Sequence, residues 1–472
     1  MSHNHKTRRE RRDFLKNFAA MSLLGSGAAA MNGKLSLIGS ALAASSDYAA
    51  LDDYKALVCV FLYGGSDSFN MFVPAQEDAY NRYAASRGPL AVPYDSLLID
   101  SPTAAIGFNP LLSDLHSMYA SGKIAVVGNA GNLIAPVTRS HYQAESPLIP
   151  SDLFAHNHQQ EQWLKGLSSS PASLVGTGWG GRMADLLQHA NSEATLPPSF
   201  SVAGTNHWLP GNQIQPLGLN ANTGLSLLSY LDSAKSAQNG ARDATLQQIL
   251  ALSSAHPLKQ QAASSFNTAK NAASQIDGAL AAHADFTTPY DGSSRLATQL
   301  RMVARMIKSN SLLKMKRQIF FVGAGGWDTH DNQSPRLEVL LRDLNRSLAD
   351  FQATIDEIGM TDKVTSFTAS DFGRTLTING DGSDHGWGGH YMVMGGAVNG
   401  GQMFGSLPSY DLGADDDSSD KGRVIPSLSI NQYGAALANW MGVTDSDMLE
   451  VFPDLANFQS DWRNVIPLFG NA

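Results

Sequence analysis

The sequence lacks several features that define common classes of protein. Its 472 residues include one cysteine, so no intramolecular disulfide can form, and stability has to come from a buried core and from any bound ions. Only 16% of the residues are charged, and there is no long acidic or basic tail. The chain has no G-x-S-x-G motif, which counts against a metal-independent serine hydrolase. With 43% hydrophobic residues, its composition is that of a globular protein.

The N-terminal segment is typical of an export signal. Arg11 and Arg12 precede a weakly apolar stretch, and the small residues ALA at 41–43 provide a cleavage site. This pattern resembles a twin-arginine signal peptide, so we expect removal of residues 1–43, with the twin-arginine export machinery as a partner and a periplasmic or secreted location. Lys34 and several glycines interrupt the apolar run, so no stable membrane anchor is expected.

The charge of the chain is acidic. The formal net charge is −9 at pH 7, and residues 1–43 contain seven basic and two acidic residues, so their removal would leave −14. Nucleic acid is not an expected partner, because binding to phosphates requires a basic face.

Five short segments rich in Val, Ile and Phe predict buried strands: ALVCVFLY, KIAVVGN, RQIFFVGA, KVTSFTAS and YMVMGGAV. Amphipathic stretches between them, such as SPRLEVLLRDLNRSLADF, predict helices. Strands that alternate with helices indicate an α/β fold with a mostly parallel sheet covered on both faces. We expect one domain over residues 44–472, with a helical insertion at about 215–300, where Ala, Ser, Gln and Asn are abundant.

Polar clusters follow the predicted strands, at the end of a parallel sheet where ligands bind. Loops without a function would divide between the two ends of the sheet, so this one-sided grouping predicts a site. Carboxylates and imidazoles are ligands of divalent metal ions, although each is also found as a turn cap or a core residue. The predicted metal ligands are Asp67, His141, Asp328, His330, Asp371, Asp384, His385 and His390.

The loop PVTRSHYQ adds two hydroxyl groups to this predicted site. A hydroxyl is a poor nucleophile at neutral pH and needs a base or a metal ion to ionise it. Thr138 and Ser140 are therefore candidate nucleophiles. Arg139 and Arg374 are candidate clamps for an anionic group, because a guanidinium can bind an oxyanion with two hydrogen bonds.

Six motifs, in order, resemble a bacterial domain-of-unknown-function family (1501) of twin-arginine-exported proteins, within the alkaline phosphatase and sulfatase superfamily. The motifs are LVCVFLYGGSDSFNMFVP, RSHYQA, LFAHNHQQEQW, GWDTHDNQ, TASDFGRT and GSDHGWGGHYMVMGGAVNGGQMFG. The resemblance extends from about Leu57 to the C-terminus. It implies a three-layer, alkaline-phosphatase-like α/β/α sandwich. One or two divalent ions (zinc, manganese or calcium) would activate a Ser or Thr and stabilise the attacking and leaving oxygens.

The resemblance also implies roles for individual residues. Asp67 would be the ligand after the first strand, Asp328 and His330 would bind one ion, and Asp371 would bind the other. His385 or His390 would complete the set, and Thr138 or Ser140 would fall in the nucleophile loop.

The chain departs from the superfamily pattern at two places. Phe372 stands where many members have His, and His158 stands where relatives tend to have Asp. These departures leave His156, His158 and Gln160 as possible additional ligands or substrate contacts.

Two hypotheses of function follow from the sequence. The first is an exported metal-dependent hydrolase of phosphate or sulfate esters, small molecules or polymers, that acts through a Ser or Thr nucleophile. The second is a non-catalytic secreted binding or assembly protein on a degenerate scaffold of the same kind, which the two departures favour.

Overall fold

The structure, a computed structural model, describes residues 47–169, 176–225, 236–251, 257–458 and 461–470. The predicted signal peptide at 1–43 lies outside these residues, so its cleavage and the location of the mature protein stay predictions. Among the described residues, no helix is long and apolar enough to cross a membrane.

The described residues form 13 strands and 12 α-helices, numbered in chain order. The strands are β1 (Lys55–Leu62), β2 (Phe72–Pro74), β3 (Ile106–Phe108), β4 (Ile124–Gly131), β5 (Ser199–Ser201), β6 (Leu217–Gly218), β7 (Arg317–Ala324), β8 (Val364–Ser370), β9 (Arg374–Ile378), β10 (Ser383–His385), β11 (Gly389–Met394), β12 (Gln402–Gly405) and β13 (Leu428–Ser429). The α-helices are α1 (Glu77–Arg87), α2 (Ser113–Ala120), α3 (Arg139–Gln143), α4 (His156–Lys165), α5 (Trp179–Leu187), α6 (Ala237–Ala251), α7 (Pro257–Ala281), α8 (Arg295–Lys308), α9 (Gln333–Glu357), α10 (Ile430–Met441), α11 (Met448–Val451) and α12 (Trp462–Val465).

The five strands predicted from the sequence all lie in one central sheet, as β1, β4, β7, β8 and β11. The strand order is β12-β4-β11-β8-β1-β7-β5-β6, and β13 also pairs with β4. Strand β11 runs antiparallel to both of its neighbours, whereas the other pairings in this sheet are parallel. The sheet is therefore mostly parallel, as predicted, and β11 begins at the edge where its neighbours end.

Two apolar cores lie on opposite faces of the sheet. Successive side chains of β1 alternate between them, because a strand has a period of two: Val58 and Val60 belong to one core, and Cys59 and Phe61 to the other. Helices α8 and α9 pack on the first face, and α5 and α10 on the second. The protein is a mixed α/β fold with helices on both faces of its sheet, which confirms this part of the predicted architecture.

Helices α6 and α7 occupy most of the described part of the predicted insertion at about 215–300. Ile276 and Leu280 of α7 are buried in the same core as α8. This contact fixes the end of α7 against the sheet layer, while the division of the chain at 215–300 stays a prediction.

Candidate metal centre

Two consecutive glycines after β1 allow three loops to meet at the carboxyl edge of the sheet. Gly64 and Gly65 have φ angles of +121° and +80°, a region that favours glycine. A Cβ on Gly64 would lie 2.3 Å from the backbone nitrogen of Asp328, and one on Gly65 would lie 2.4 Å from the ring of Phe372. The turns after β7 and β8 thus pack directly on the turn after β1, which brings Asp328 close to Asp371.

Three side chains converge above these turns. One ligand atom from each of His156, Asp328 and His385 lies within 4.8 Å of the others. The Oδ1 atom of Asp328 is 3.6 Å from Nε2 of His156 and 3.4 Å from Nε2 of His385. The Nε2 atom of His330 is 3.1 Å from the same oxygen and 2.8 Å from Nε2 of His385. Ligands of one tetrahedral zinc ion lie about 3.3 Å apart, so the separations among His156, Asp328 and His385 are close to those of a single ion, and His330 adjoins this group without being one of its three members.

Each of the three imidazoles is held through its other nitrogen. The Nδ1 atom of His156 lies 2.6 Å from Asp371 Oδ2, that of His385 lies 2.7 Å from the carbonyl oxygen of Phe154, and that of His330 lies 3.3 Å from Asp384 Oδ1. An Nδ1 that donates its hydrogen leaves a lone pair on Nε2. This second layer of acceptors is typical of metal-binding histidines, because it fixes both the tautomer and the direction of the ring.

Asp371, a predicted metal ligand, contacts the Nδ1 atom of His156, whereas the Nε2 atom of this ring faces Asp328. Its side chain is buried, and Oδ2 accepts hydrogen bonds from Gln160 Nε2 at 2.9 Å and from the Gly64 nitrogen at 3.2 Å in addition to His156. His156 and Gln160 lie one helical turn apart in α4, so both face the same carboxylate. The i, i+4 spacing of these two residues in AHNHQQ is the sequence signal for a shared partner, although the sequence alone makes His156 only an additional candidate ligand.

The pKa shifts at the centre keep Asp328 charged. Burial by itself raises the pKa of Asp328, but the hydrogen bond and charge of Arg374, with the nearby imidazoles, hold it below its usual value. The hydrogen bond to Asp371 raises the pKa of His156, whereas burial lowers the pKa of His385. A carboxylate is therefore available as an anionic ligand at neutral pH.

Arg374, a predicted anion clamp, lies inside the protein and faces Asp328. Its side chain is fully buried, and Nη1 donates to Asp328 Oδ1 at 2.9 Å. The remaining hydrogen bonds of the guanidinium run to Gly64 O and to the carbonyl and hydroxyl oxygens of Ser383. The predicted role is corrected: Arg374 positions a ligand and does not face a substrate.

Asp67, a predicted metal ligand, forms a buried ion pair with Arg87. Its carboxylate and the guanidinium of Arg87 are both fully buried and in contact, and Asp67 Oδ2 also accepts from Gln333 Nε2. Arg87 further donates to the carbonyl oxygen of Thr375 at 2.7 Å. A buried arginine thus neutralises Asp67 through Oδ2, whereas Oδ1 is buried without a hydrogen-bond partner, and metal binding by Asp67 stays a prediction.

The candidate nucleophiles lie in a separate cleft of about 600 Å³. The Oγ1 atom of Thr138 is 2.8 Å from Ser140 Oγ and 2.9 Å from His141 Nδ1, an arrangement that caps helix α3. Arg139 donates to the carbonyl oxygen of Asp417 and pairs with Asp420. Within the described parts of the chain, no hydrogen bond or ion pair joins Thr138, Arg139, Ser140 or His141 to the metal centre, so the structure does not bring these four predicted residues together with the others.

His390, another predicted ligand, is the second residue of strand β11, and its side chain is buried in the core. Its Nδ1 accepts a hydrogen bond of 3.0 Å from the backbone nitrogen of Asn129, and its ring contacts that of Phe69. Burial lowers the pKa of His390 to about 3. The imidazole is therefore neutral near pH 7 in the folded protein, and the structure places it in the core with Nδ1 bonded to Asn129, so its role in completing the metal site stays a prediction.

The neutral state of His390 predicts a pH dependence of stability. The unfolded chain binds a proton at this histidine below about pH 6.5, whereas the folded chain does so only near pH 3, so the free energy of unfolding falls as the pH is lowered between these values. At pH 4.5 the loss from this one group is about 2–3 kcal/mol. His390→Asn keeps an acceptor for Asn129 and removes this contribution, which urea unfolding at pH 7 and pH 4.5 measures. His189→Asn, at an exposed position, is the control; an equal loss in wild type and His390→Asn would contradict the assignment.

The fold and the centre together define an α/β protein with a carboxylate and imidazole cluster beyond the carboxyl ends of parallel strands. The family described as "Protein of unknown function (DUF1501)" matches residues 54–421, so the chain belongs to this family. The family resemblance seen in the motifs is thereby confirmed, whereas export by the twin-arginine pathway stays a prediction. No curated protein shows significant similarity to the chain.

Two solved structures show a weak likeness to the fold. The crystal structure of Ps i-CgsB in complex with k-i-k-neocarrahexaose has a TM-score of 0.35 and 9% identity, covering 86% of this chain and 77% of that chain. The crystal structure of PsFucS1 sulfatase from Pseudoalteromonas sp. has a TM-score of 0.32 and 10% identity, covering 88% of this chain and 73% of that chain. Likeness at this level supports no inference about activity.

Proposed function

We propose that the protein is an exported hydrolase of phosphate or sulfate esters, on an alkaline-phosphatase-like scaffold, that uses one bound divalent metal ion. The supporting observation is the convergence of three imidazole Nε2 atoms on Asp328 Oδ1, with an acceptor behind each Nδ1. Mixed nitrogen and oxygen ligands suit zinc, and manganese next, whereas calcium prefers oxygen alone. The order of expected ions is therefore zinc, manganese, calcium.

The number of ions follows from the charges around the centre. A second ion would have to bind the Oδ1 atoms of Asp67 and Asp371, which are buried without a hydrogen-bond partner, but Oδ2 of Asp67 is already paired with Arg87. The guanidinium of Arg87 supplies a fixed positive charge at the place where Asp67 would otherwise attract a cation. We therefore expect one ion in each chain.

An anionic ester is favoured by the helix that carries His156. Helix α4 starts at this residue, and Ala155 before it provides no side-chain cap for the first backbone N–H groups. Such a helix terminus attracts negative charge, and here it adjoins the ligands of the proposed ion. For a phosphate or sulfate group to bind at this position, the positive end of the helix and the charge of the bound ion would have to outweigh the acidic surface of the chain.

Water is the nucleophile that fits the geometry best. Among the described residues, no hydroxyl side chain is hydrogen-bonded to His156, Asp328 or His385, and the adjoining Ala155 and Phe372 have none. A bound divalent ion lowers the pKa of water to near 7 and polarises the ester oxygen. In this proposal Asp371 keeps His156 in the binding tautomer, and Arg374 keeps Asp328 in place.

Metal content and turnover test the proposal. We expect the purified mature protein to retain about one equivalent of zinc or manganese and to hydrolyse an aryl phosphate or an aryl sulfate, with activity lost on chelation and restored by the ion. Thr138→Ala combined with Ser140→Ala should leave turnover unchanged, because the proposed nucleophile is water. Retention of no metal would overturn the centre, and activity that survives exhaustive chelation would favour a serine hydrolase.

The second candidate function is a non-catalytic secreted binding or assembly protein that keeps the same metal centre. Among the described residues, no hydroxyl side chain is hydrogen-bonded to the three converging side chains, and Phe372 packs against His156 and His385; both observations favour this candidate. One retained ion with no turnover of either ester would support this candidate and contradict the hydrolase.

A further inference from the structure

A second group of charged side chains lines a cavity of about 200 Å³ between the end of α7, the connection to α8, and α8 itself. Arg301, Arg305 and Lys308 project from α8 into this cavity, which we call the basic pocket. Their spacing of four and then three residues places all three on one face of the helix. None of the residues of the metal centre lines this pocket.

The basic pocket has an excess of positive charge. Its three cations face a single carboxylate, that of Asp285, which pairs with Arg301. The formal net charge of the chain is −9, so the basic pocket is a positively charged site on a negatively charged protein. Like charges gathered in one cavity repel one another unless an anion is bound between them.

Several donors in the basic pocket lack a protein acceptor. Arg305 makes one hydrogen bond among the described residues, from Nη2 to the carbonyl oxygen of Leu280 at 3.4 Å, although a guanidinium has five N–H donors. Lys308 donates one hydrogen bond of 3.0 Å to the carbonyl oxygen of Ala284. The Nε2 atom of His283, on the opposite wall, is buried without a hydrogen-bond partner.

We propose that the basic pocket binds a tetrahedral oxyanion, sulfate or phosphate, either free or as an ester group of a larger molecule. Arg305 would bind two of its oxygens, since a guanidinium matches oxyanion geometry, and Lys308 would bind a third. Asp285 neutralises Arg301 and leaves the other two cations for the ligand. The proposal does not depend on the hydrolase assignment, because the two sites share no residue.

Binding of inorganic sulfate to the mature protein, followed by calorimetry at constant ionic strength with sodium chloride, tests the pocket. We expect saturable binding that Arg305→Gln weakens at least about tenfold and Arg305→Lys weakens less. The matched control is Arg342→Gln, which removes the same charge from an exposed arginine on α9 whose partner is Glu338. Thermal unfolding without sulfate checks that the variants are folded.

The Asp328→Asn variant separates the pocket from the metal centre. Sulfate binding that persists in Asp328→Asn and is lost in Arg305→Gln supports the basic pocket. The reverse pattern, or equal weakening by Arg305→Gln and Arg342→Gln, overturns it. Methyl sulfate identifies the source of the group: binding of both probes indicates an ester group, and binding of inorganic sulfate alone indicates a free anion.

Discussion

Asp328→Asn is expected to abolish metal retention and, with it, any metal-dependent ester hydrolysis. The Oδ1 atom of Asp328 lies within 3.1–3.6 Å of the three converging Nε2 atoms, so it is the carboxylate oxygen that contacts all three imidazoles. Loss of groups that only orient ligands costs about 10–100-fold in metal affinity, so loss of a ligand charge should cost at least about 100-fold. Elemental analysis after gel filtration and a titration with zinc measure the effect.

The matched control lies three residues further along the same loop. Asp331 has an 82% exposed side chain, and its ion pair with Arg336 is 3.2 Å long, so Asp331→Asn removes the same charge without touching the centre. We expect this control to keep its metal. The asparagine at 328 retains an acceptor for Arg374, so the fold should persist. Metal retention by Asp328→Asn equal to that of wild type would show that the cluster is not a metal centre.

The sheet could be predicted from the sequence because the five predicted strands are almost wholly buried. A strand covered on both faces is apolar along most of its length, as at residues 56–62 of β1 and 319–324 of β7, and this pattern requires no knowledge of its partners. The edge of the sheet that carries the site could also be predicted, because parallel strands have their carboxyl ends at the same edge. Asp328, His330 and His385 lie at this edge because β7 and β11 run in opposite directions, with β11 starting where β7 ends.

The surroundings of Asp67 and His390 could not be predicted, because they depend on partners that are distant in the chain. Asp67 has the sequence context of a ligand, but its counterion, Arg87, is on α1, and nothing in GGSDSF shows that the two are buried together. The acceptor role of His390 depends on Asn129 in strand β4. A ligand and a core residue have the same side chain, and only the atoms that surround it distinguish them.

The second large effect is expected from Arg87, whose removal leaves Asp67 charged and unpaired inside the protein. Arg87→Met should lower the free energy of unfolding by about 3–5 kcal/mol, because a buried carboxylate without its counterion carries an uncompensated desolvation cost. Both side chains are fully buried. The double variant with Asp67→Asn should recover most of the loss, since the asparagine needs no counterion and keeps an acceptor for Gln333.

Urea unfolding of wild type, the two single variants and the double variant gives the coupling energy of the pair. Arg82→Met is the matched control on the same helix, because Arg82 has a 42% exposed side chain and a 3.6 Å contact with Asp411. Such a surface pair contributes about 0–1 kcal/mol, so the control should remain close to wild type. If Arg87→Met costs no more than Arg82→Met, the buried pair of Asp67 and Arg87 does not stabilise the fold, and the argument against Asp67 as a metal ligand loses its basis.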